Sequence, residues 1–342
     1  MLQRFLLIGW IGALAVGCAP WHTPPGPSRQ EPELLSEAIL AADGIALPLR
    51  RWGPAEQPRA VVLALHGFND YSEAFAKPGR YFANAGVVTY AYDQRGFGKA
   101  PNKGFWSSVD GMTDDLRAAA KLIRAAHPDA PFYIIGESMG AAVILATMNQ
   151  DSPPPVADGY VLSAPAVWGR RIMPWWQRWA LEFFAHTIPL FHVSGQGFNR
   201  IPSDNMEMLR KRGRDPLVIK HTRIDTLYGL VNLMDAALNA VPRLVGHSLV
   251  LLGQKEDIML NEVTHALLSS LPRHGCVRVA KYSSGYHMLL RDIKADIVLD
   301  DLVTWMGDPK GLLPSGSELT SVDELAPSTQ EPGVDSQLGL SC

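Results

Sequence analysis

A serine between two glycines, where an apolar strand meets an apolar helix, is the feature of this sequence best suited to chemistry. Residues 132–144 read FYIIGESMGAAVI. A tight strand-to-helix turn strains the serine backbone and lifts its hydroxyl above the sheet edge, and Gly136 and Gly140 stand where a Cβ would collide with its neighbours. We therefore predict that Ser138 is a nucleophile. The alternative is a glycine-rich connection with an incidental serine.

A serine hydroxyl needs a base to accept its proton, and His287 has the right position in the chain. It lies in the sequence YSSGYHMLLR, after a predicted strand Cys276–Tyr282 and before an amphipathic helix that reaches Trp305. The histidine is therefore expected in a loop at the carboxyl end of a late strand. His66 precedes the serine, so we predict that it shapes a turn instead.

The acid that would orient the histidine is one of two neighbouring carboxylates. A predicted strand, Ser248–Leu252, ends in the sequence GQKEDIM, which contains Glu256 and Asp257. Only one of them can face His287, and either could be a solvated charge in a turn. Spacing alone does not choose between the two.

An oxyanion formed at the attacked carbonyl needs hydrogen-bond donors that are already in place. We expect these to be the backbone N–H of Met139, after the nucleophile, and that of Phe68, in the loop after a predicted strand Ala60–Leu65. An ordinary exit from that strand is the alternative interpretation of His66 and Gly67.

Four motifs in one order resemble the monoacylglycerol lipase and lysophospholipase branch of the α/β-hydrolases. They are HGFND at 66–70, YDQRGFG at 92–98, GESMG at 136–140 and GYH at 285–287, and the resemblance covers residues 37–306. It implies an α/β fold: a mostly parallel central sheet with flanking helices and a helical cap inserted after the strand that follows the nucleophile helix. The family's acid usually reads G-x-x-D, which places Glu256 where an aspartate is usual. We therefore prefer Glu256 to Asp257.

Composition and charge limit the partners. The 342 residues are 47% hydrophobic, enough to bury one large core plus an insertion. A net charge of −3, with 19% charged residues and no basic stripe, argues against nucleic acid. The sequence has no Cys/His cluster at zinc spacing and no phosphate-binding glycine loop, so we expect neither a metal nor a cofactor.

The chain is expected to contain four segments. Arg4 and the short apolar run after it indicate a signal peptide over 1–17, and the ending LAVGC resembles a bacterial lipobox, with lipid attached to Cys18. Ala19 after the cysteine suits sorting to the outer membrane, facing the periplasm; an ordinary secretory signal is the alternative. A Pro-rich tether over 18–35, a hydrolase domain over 36–307 and a disordered tail over 308–342 should follow.

A cap is expected over about 167–240, where strand–helix alternation stops. It is rich in large aromatic side chains, several at helical spacing: Trp168, Trp175, Trp176, Trp179, Phe183 and Phe184. These residues either pack the cap onto the body or line an apolar channel for an acyl chain, and some can do both.

The function that these features predict is hydrolysis of carboxylic esters of the monoacylglycerol or lysophospholipid type, through an acyl-enzyme. Acyl transfer to an acceptor other than water would use the same residues. A catalytically silent binding protein with this fold is a further alternative, against which Ser138 and His287 argue. The expected partners are a small lipid or ester substrate and, through Cys18, a membrane.

Overall fold

The computed structural model describes residues 19–319 except 55, 150–151, 195–199 and 273–276. Its strands, in chain order, are β1 Glu33–Leu34, β2 Ala38–Leu40, β3 Ala46–Trp52, β4 Ala60–Leu65, β5 Val87–Tyr92, β6 Phe132–Glu137, β7 Gly159–Ser163, β8 His192–Val193, β9 Thr222–Arg223, β10 His247–Gly253 and β11 Val277–Tyr282. Its α-helices are α1 Ala76–Asn84, α2 Val109–Ala126, α3 Met139–Thr147, α4 Trp175–Thr187, α5 Met206–Arg214, α6 Ile224–Ala240, α7 Asn261–Ser270 and α8 Ala295–Gly307. Short 3-10 turns lie at Ser72–Phe75, Val241–Arg243 and Leu289–Arg291.

Nine of these strands form one sheet, in the order β1-β2-β3-β5-β4-β6-β7-β10-β11. The six strands from β5 to β11 in that order are parallel, and β1, β2 and β3 add an antiparallel edge. Every residue of β4, which reads AVVLAL, is buried. A continuous apolar strand of this kind suits a parallel sheet that helices cover on both faces.

Two apolar layers flank the sheet. Helices α1 and α8 supply one layer, where Phe82, Leu299 and Trp305 are buried. Helices α2, α3, α6 and α7 supply the other, and every residue of α3 is buried. Strands alternating with helices along the chain produce this arrangement, because each crossover helix must bury its apolar side against the sheet. The predicted fold class is confirmed.

The cap is shorter than the sequence predicted. Helices α4 and α5 and the small antiparallel pair β8–β9 lie within the expected span of 167–240. Helix α6, however, packs along the nucleophile helix α3 and buries Leu233 and Ala237 in the core of the body. The expected boundary at 240 is therefore corrected to the start of α6, because its apolar side faces α3.

Both flanking segments contact the domain where they are described. The expected tether donates hydrogen bonds from Thr23 and Arg29 to backbone carbonyls of the body, each at 2.7 Å. The expected tail begins at 308, yet Leu313 is buried and the N–H of Leu319 bonds to the carbonyl of Val279 at 2.9 Å. Because β11 is an edge strand with unpaired backbone groups, it can accept this segment. The structured domain thus extends to Leu319. No described helix is long and apolar enough to cross a membrane.

Candidate active site

Ser138 lies at the sharp turn between β6 and α3. Its φ of +53° and ψ of −110° are unusual for a residue with a side chain. Its N–H donates to the carbonyl of Ser163 at 2.8 Å, which ties the turn to β7. A Cβ on Gly136 would lie 2.4 Å from the nitrogen of Ala141, and one on Gly140 would lie 2.2 Å from the oxygen of Leu65. The turn therefore needs both glycines, and its backbone strain points to a functional serine.

His287 and Glu256 form a buried pair. Nδ1 of His287 donates to Oε2 of Glu256 at 2.8 Å, and the two side chains are 7% and 9% exposed. The other carboxylate oxygen, Oε1, accepts the backbone N–H groups of Ile258 at 2.7 Å and Met259 at 3.0 Å. Burial by itself would raise the pKa of Glu256, but the hydrogen bond and charge of His287 and these two N–H donors hold that pKa below its ordinary value.

Asp257, the alternative acid, points elsewhere. Its carboxylate accepts the N–H of Ile201 at 3.1 Å and a guanidinium hydrogen bond from Arg200 at 3.2 Å, both in the cap. Its side chain is 42% exposed. Of the two adjacent carboxylates, only Glu256 contacts His287, although the family usually has aspartate at this position.

The acid turn and the histidine turn are joined through their backbones. The N–H of Lys255 donates to the carbonyl of Gly285, and that of Gln254 to the carbonyl of Tyr282, each at 2.9 Å. A Cβ on Gly253 would lie 2.5 Å from the oxygen of Gly285. Glycine at 253 thus lets the two turns approach closely, and the carboxylate of Glu256 on one turn reaches His287 on the other.

The two expected oxyanion donors lie at the start of α3 and after β4. Met139 is the first residue of α3, so its N–H is one that the helix leaves without a carbonyl partner. Within the described chain, the N–H of Phe68 also has no backbone partner. His66 is fully buried beside this turn: Nδ1 bonds to the carbonyl of Gly67 at 2.9 Å, and Nε2 accepts the N–H of Gln94 at 3.0 Å. Because Nε2 accepts a hydrogen bond, the ring is neutral and shapes the turn, and burial lowers the pKa of His66 in agreement.

A buried cluster of charges adjoins the site, and the sequence did not predict it. Arg291 donates to Oδ2 of Asp70 at 2.9 Å and to Oε1 of Glu137 at 2.5 Å. Arg212 of α5 donates to the same Asp70 oxygen at 3.0 Å. Burial alone would raise the pKa of Asp70, but the two arginines hold it well below its ordinary value. The sequence does show a charged residue in or near each motif: Asp70, Glu137 and Arg291. It does not show which of them pair.

Most of the aromatic cap residues are exposed. Trp168 packs against the core. The others have exposed fractions from 43% to 71%: Trp175, Trp176, Trp179, Phe183 and Phe184. Their exposure favours the second alternative over packing of the cap onto the body for these five, since α4 turns other side chains, such as the buried Ala185, inward. Their contact with an acyl chain stays a prediction. Cys18, the predicted site of lipid attachment, lies outside the described residues.

Comparison with known proteins gives a family match and full-length relatives. The sequence matches the family described as Hydrolase_4, serine aminopeptidase S33, over residues 56–294. The monoacylglycerol lipase of Mycolicibacterium smegmatis is 25% identical over 280 residues, which cover 79% of this chain and 95% of that protein. The monoglyceride lipase of Rattus norvegicus is 23% identical over 299 residues, which cover 84% and 94%.

A solved structure shares the fold. A soluble variant of monoglyceride lipase from Saccharomyces cerevisiae, in complex with a substrate analogue, has a TM-score of 0.65. It is 16% identical in sequence, and the match covers 85% of this chain and 98% of that one. Similarity at this level of identity supports the fold alone.

Proposed function

Since the chain belongs to the serine aminopeptidase S33 family, we propose that it is a serine hydrolase of carboxylic esters, with monoacylglycerols or lysophospholipids as substrates. The observation that carries this proposal is the strained Ser138 turn together with the buried His287–Glu256 pair. The preference for a lipid ester over a peptide is supported by the names of the relatives in Mycolicibacterium smegmatis and Rattus norvegicus. It is also supported by the apolar surface of α4.

The proposed mechanism has two chemical steps. In the first, Oγ of Ser138 attacks the ester carbonyl while Nε2 of His287 takes the hydroxyl proton. Glu256 holds the imidazole with its proton on Nδ1 and stabilises the imidazolium that forms. The N–H groups of Phe68 and Met139 bind the developing oxyanion. The tetrahedral intermediate then collapses, His287 gives its proton to the leaving alcohol, and an acyl-enzyme remains on Ser138.

Water completes the cycle. His287 removes a proton from the water molecule, which attacks the acyl-enzyme, and the second tetrahedral intermediate releases the fatty acid and the free Ser138 hydroxyl. Each step leaves His287 neutral again: the leaving alcohol carries off the proton of Ser138, and the water supplies its replacement, so the residues of the chain account for the whole reaction. An acyl transferase would differ only in the acceptor that replaces this water.

Covalent labelling tests the nucleophile directly. A fluorophosphonate probe should label the wild type at Ser138, and Ser138→Ala should abolish labelling and lower ester turnover by about a million-fold, as for other triad serines. Ser248→Ala is the matched control, because Ser248 is also buried but lies near the opposite, amino end of β10. The control should label and turn over like the wild type. Unchanged hydrolysis by Ser138→Ala would disprove the mechanism.

The acyl preference and the acceptor are measured on the same preparation. We expect a series of glycerol monoesters, from butyryl to palmitoyl, to be cleaved to free fatty acid and glycerol. Products in which the acyl group appears on an added alcohol or amine, at rates above hydrolysis, would indicate acyl transfer instead.

We also propose that lipid on Cys18 anchors the protein in the bacterial envelope, at the periplasmic face of the outer membrane. The support is the LAVGC sequence at 14–18 with Ala19 after it. Several acyl chains anchor a protein firmly where one does not. In detergent phase separation the wild type should enter the detergent phase, and Cys18→Ser should remain in the aqueous phase. A mature amino terminus elsewhere than Cys18 would contradict the proposal.

A further inference from the structure

We propose that Arg291 is a positioning residue: its guanidinium joins the three loops that carry the nucleophile, the base and an oxyanion donor, and sets their relative position. The inference rests on the proposed function. It concerns a side chain four residues after His287, in the 3-10 turn Leu289–Arg291. Arg291 is 6% exposed, so its charge must be balanced inside the protein.

Each partner of Arg291 is close in sequence to a reacting group. Glu137 is the last residue of β6 and directly precedes Ser138. Asp70 lies two residues after Phe68, and its other oxygen accepts the N–H of Tyr71 at 3.0 Å. Two hydrogen bonds from one guanidinium, at 2.9 and 2.5 Å, therefore connect the oxyanion loop and the nucleophile turn to the histidine loop.

The carboxylate of Glu137 also lies close to the oxyanion turn. A Cβ on Gly67 would lie 3.5 Å from Oε1 of Glu137 and equally far from Cβ of Ser138. Gly67, the residue before Phe68, thus lies close to both the nucleophile and the carboxylate that Arg291 holds. A shift of that carboxylate moves the oxyanion donor relative to the serine, and an error of 1 Å in such a site can cost about 100-fold in rate.

Charge gives Arg291 a second role in the same place. Asp70 and Glu137 are buried carboxylates within two residues of Phe68 and Ser138, with exposed fractions of 4% and 3%. Arg291 and the partly buried Arg212 balance them. Arginine suits this position because its planar guanidinium can bond two carboxylates at once, which the single ammonium of a lysine does less well.

Amide substitutions test the proposal while keeping side-chain shape. The test variants are Asp70→Asn and Glu137→Gln. The matched control is Asp115→Asn, because Asp115 is 5% exposed and bonds to another buried arginine, Arg95, at 2.6 and 2.8 Å. All three changes remove one carboxylate from a buried arginine pair, but Asp115 lies on α2, outside the catalytic loops.

The assay is hydrolysis of p-nitrophenyl butyrate, with the rate of fluorophosphonate labelling and thermal unfolding measured on the same samples. We expect each test variant to lower kcat and the labelling rate by 10- to 100-fold, about 1.4–2.7 kcal/mol at 1.36 kcal/mol per tenfold, with KM within about twofold. Arg291→Lys should behave similarly. Asp115→Asn should keep kcat within about twofold, whatever its melting temperature.

Two outcomes separate this inference from the proposed function. If the wild type is labelled and active, and both test variants keep its kcat and labelling rate while only their melting temperatures fall, Arg291 is merely structural and the inference is overturned. If the wild type neither reacts with the probe nor cleaves the ester, the proposed function fails and the inference with it. A loss in the Asp70→Asn, Glu137→Gln double variant smaller than the product of the single losses would support a shared action through Arg291.

Discussion

Glutamine in place of Glu256 should inactivate the enzyme through the tautomer of His287, although the two side chains have nearly the same shape. Oε1 of Glu256 accepts the backbone N–H groups of Ile258 and Met259, at 2.7 and 3.0 Å. Only the carbonyl oxygen of a glutamine can accept these bonds, so its amide nitrogen must take the position of Oε2, 2.8 Å from Nδ1 of His287. That N–H group makes Nδ1 an acceptor, and the ring proton moves to Nε2. Nε2 can then no longer take the proton of Ser138.

The size of the effect follows from the geometry of the pair. An imidazolium and a carboxylate about 2.8 Å apart, nearly buried, attract each other by about 6 kcal/mol at an effective dielectric constant of 20. At 1.36 kcal/mol per tenfold, this is about four orders of magnitude in rate. The same change of acid to amide in a serine protease triad costs about 10⁴ in kcat. KM should change little, because the imidazolium forms only as the reaction proceeds.

Steady-state kinetics with p-nitrophenyl butyrate measure the loss, and Asp257→Asn is the control. The carboxylate of Asp257 is 42% exposed and pairs with Arg200, a contact of a kind worth about 0–1 kcal/mol. The control should therefore keep kcat within about fivefold of the wild type. A Glu256→Gln variant that retains more than a tenth of the activity, or a crippling loss in Asp257→Asn, would refute the predicted change of tautomer.

Three further predictions concern the Ser138 turn, the cap and the stability of the protein at low pH. Gly140→Ala should unfold or inactivate the protein, because its Cβ would lie 2.2 Å from a backbone oxygen of β4. Gly213→Ala, whose Cβ would have nothing within 4 Å, should instead raise the melting temperature by stabilising α5 by up to about 1 kcal/mol. Trp176→Ala, at a side chain 57% exposed, should lower the free energy of unfolding by less than about 1 kcal/mol, yet it should slow hydrolysis of palmitoyl esters more than that of butyryl esters. Trp305→Ala, at a fully buried side chain, should lower the free energy of unfolding in urea by about 3–5 kcal/mol. Equal stability losses in the two variants would contradict the exposure of the cap. Asp70 has a lowered pKa in the folded state, so its contribution to stability is complete above about pH 4 and falls at lower pH by at most about 1.4 kcal/mol per pH unit. The difference in unfolding free energy between wild type and Asp70→Asn should therefore shrink between pH 4 and 2. A constant difference would refute the lowered pKa of Asp70.

Features set by neighbouring residues were predictable from the sequence. The four motifs predicted the α/β-hydrolase family, and the family match over 56–294 confirms it. The bounds of β4 were predicted to the residue, because a continuous apolar run bounded by turn residues marks a buried parallel strand. The extent of the cap was less predictable, since α6 has an apolar side whether it belongs to a cap or to the body.

By itself, the sequence determined the strained turn at Ser138. At Gly136 the steric conflict is with Gly140 and Ala141, four and five residues along the chain, and glycine is the residue type that avoids it. The motif order likewise determined which histidine could serve as the base. Contacts between residues near in the chain, and the order of the motifs, can both be seen in the sequence without knowledge of the fold.

Only the tertiary structure decided which carboxylate meets His287, where residues 308–319 pack, and that Arg291 pairs with Asp70 and Glu137. The members of those ion pairs are 221 and 154 residues apart in the chain. Their pairing depends on three loops that meet at the carboxyl edge of one sheet, and on the direction in which each side chain leaves its turn. Charge complementarity in the sequence allows many such pairs, and burial among those loops selects one.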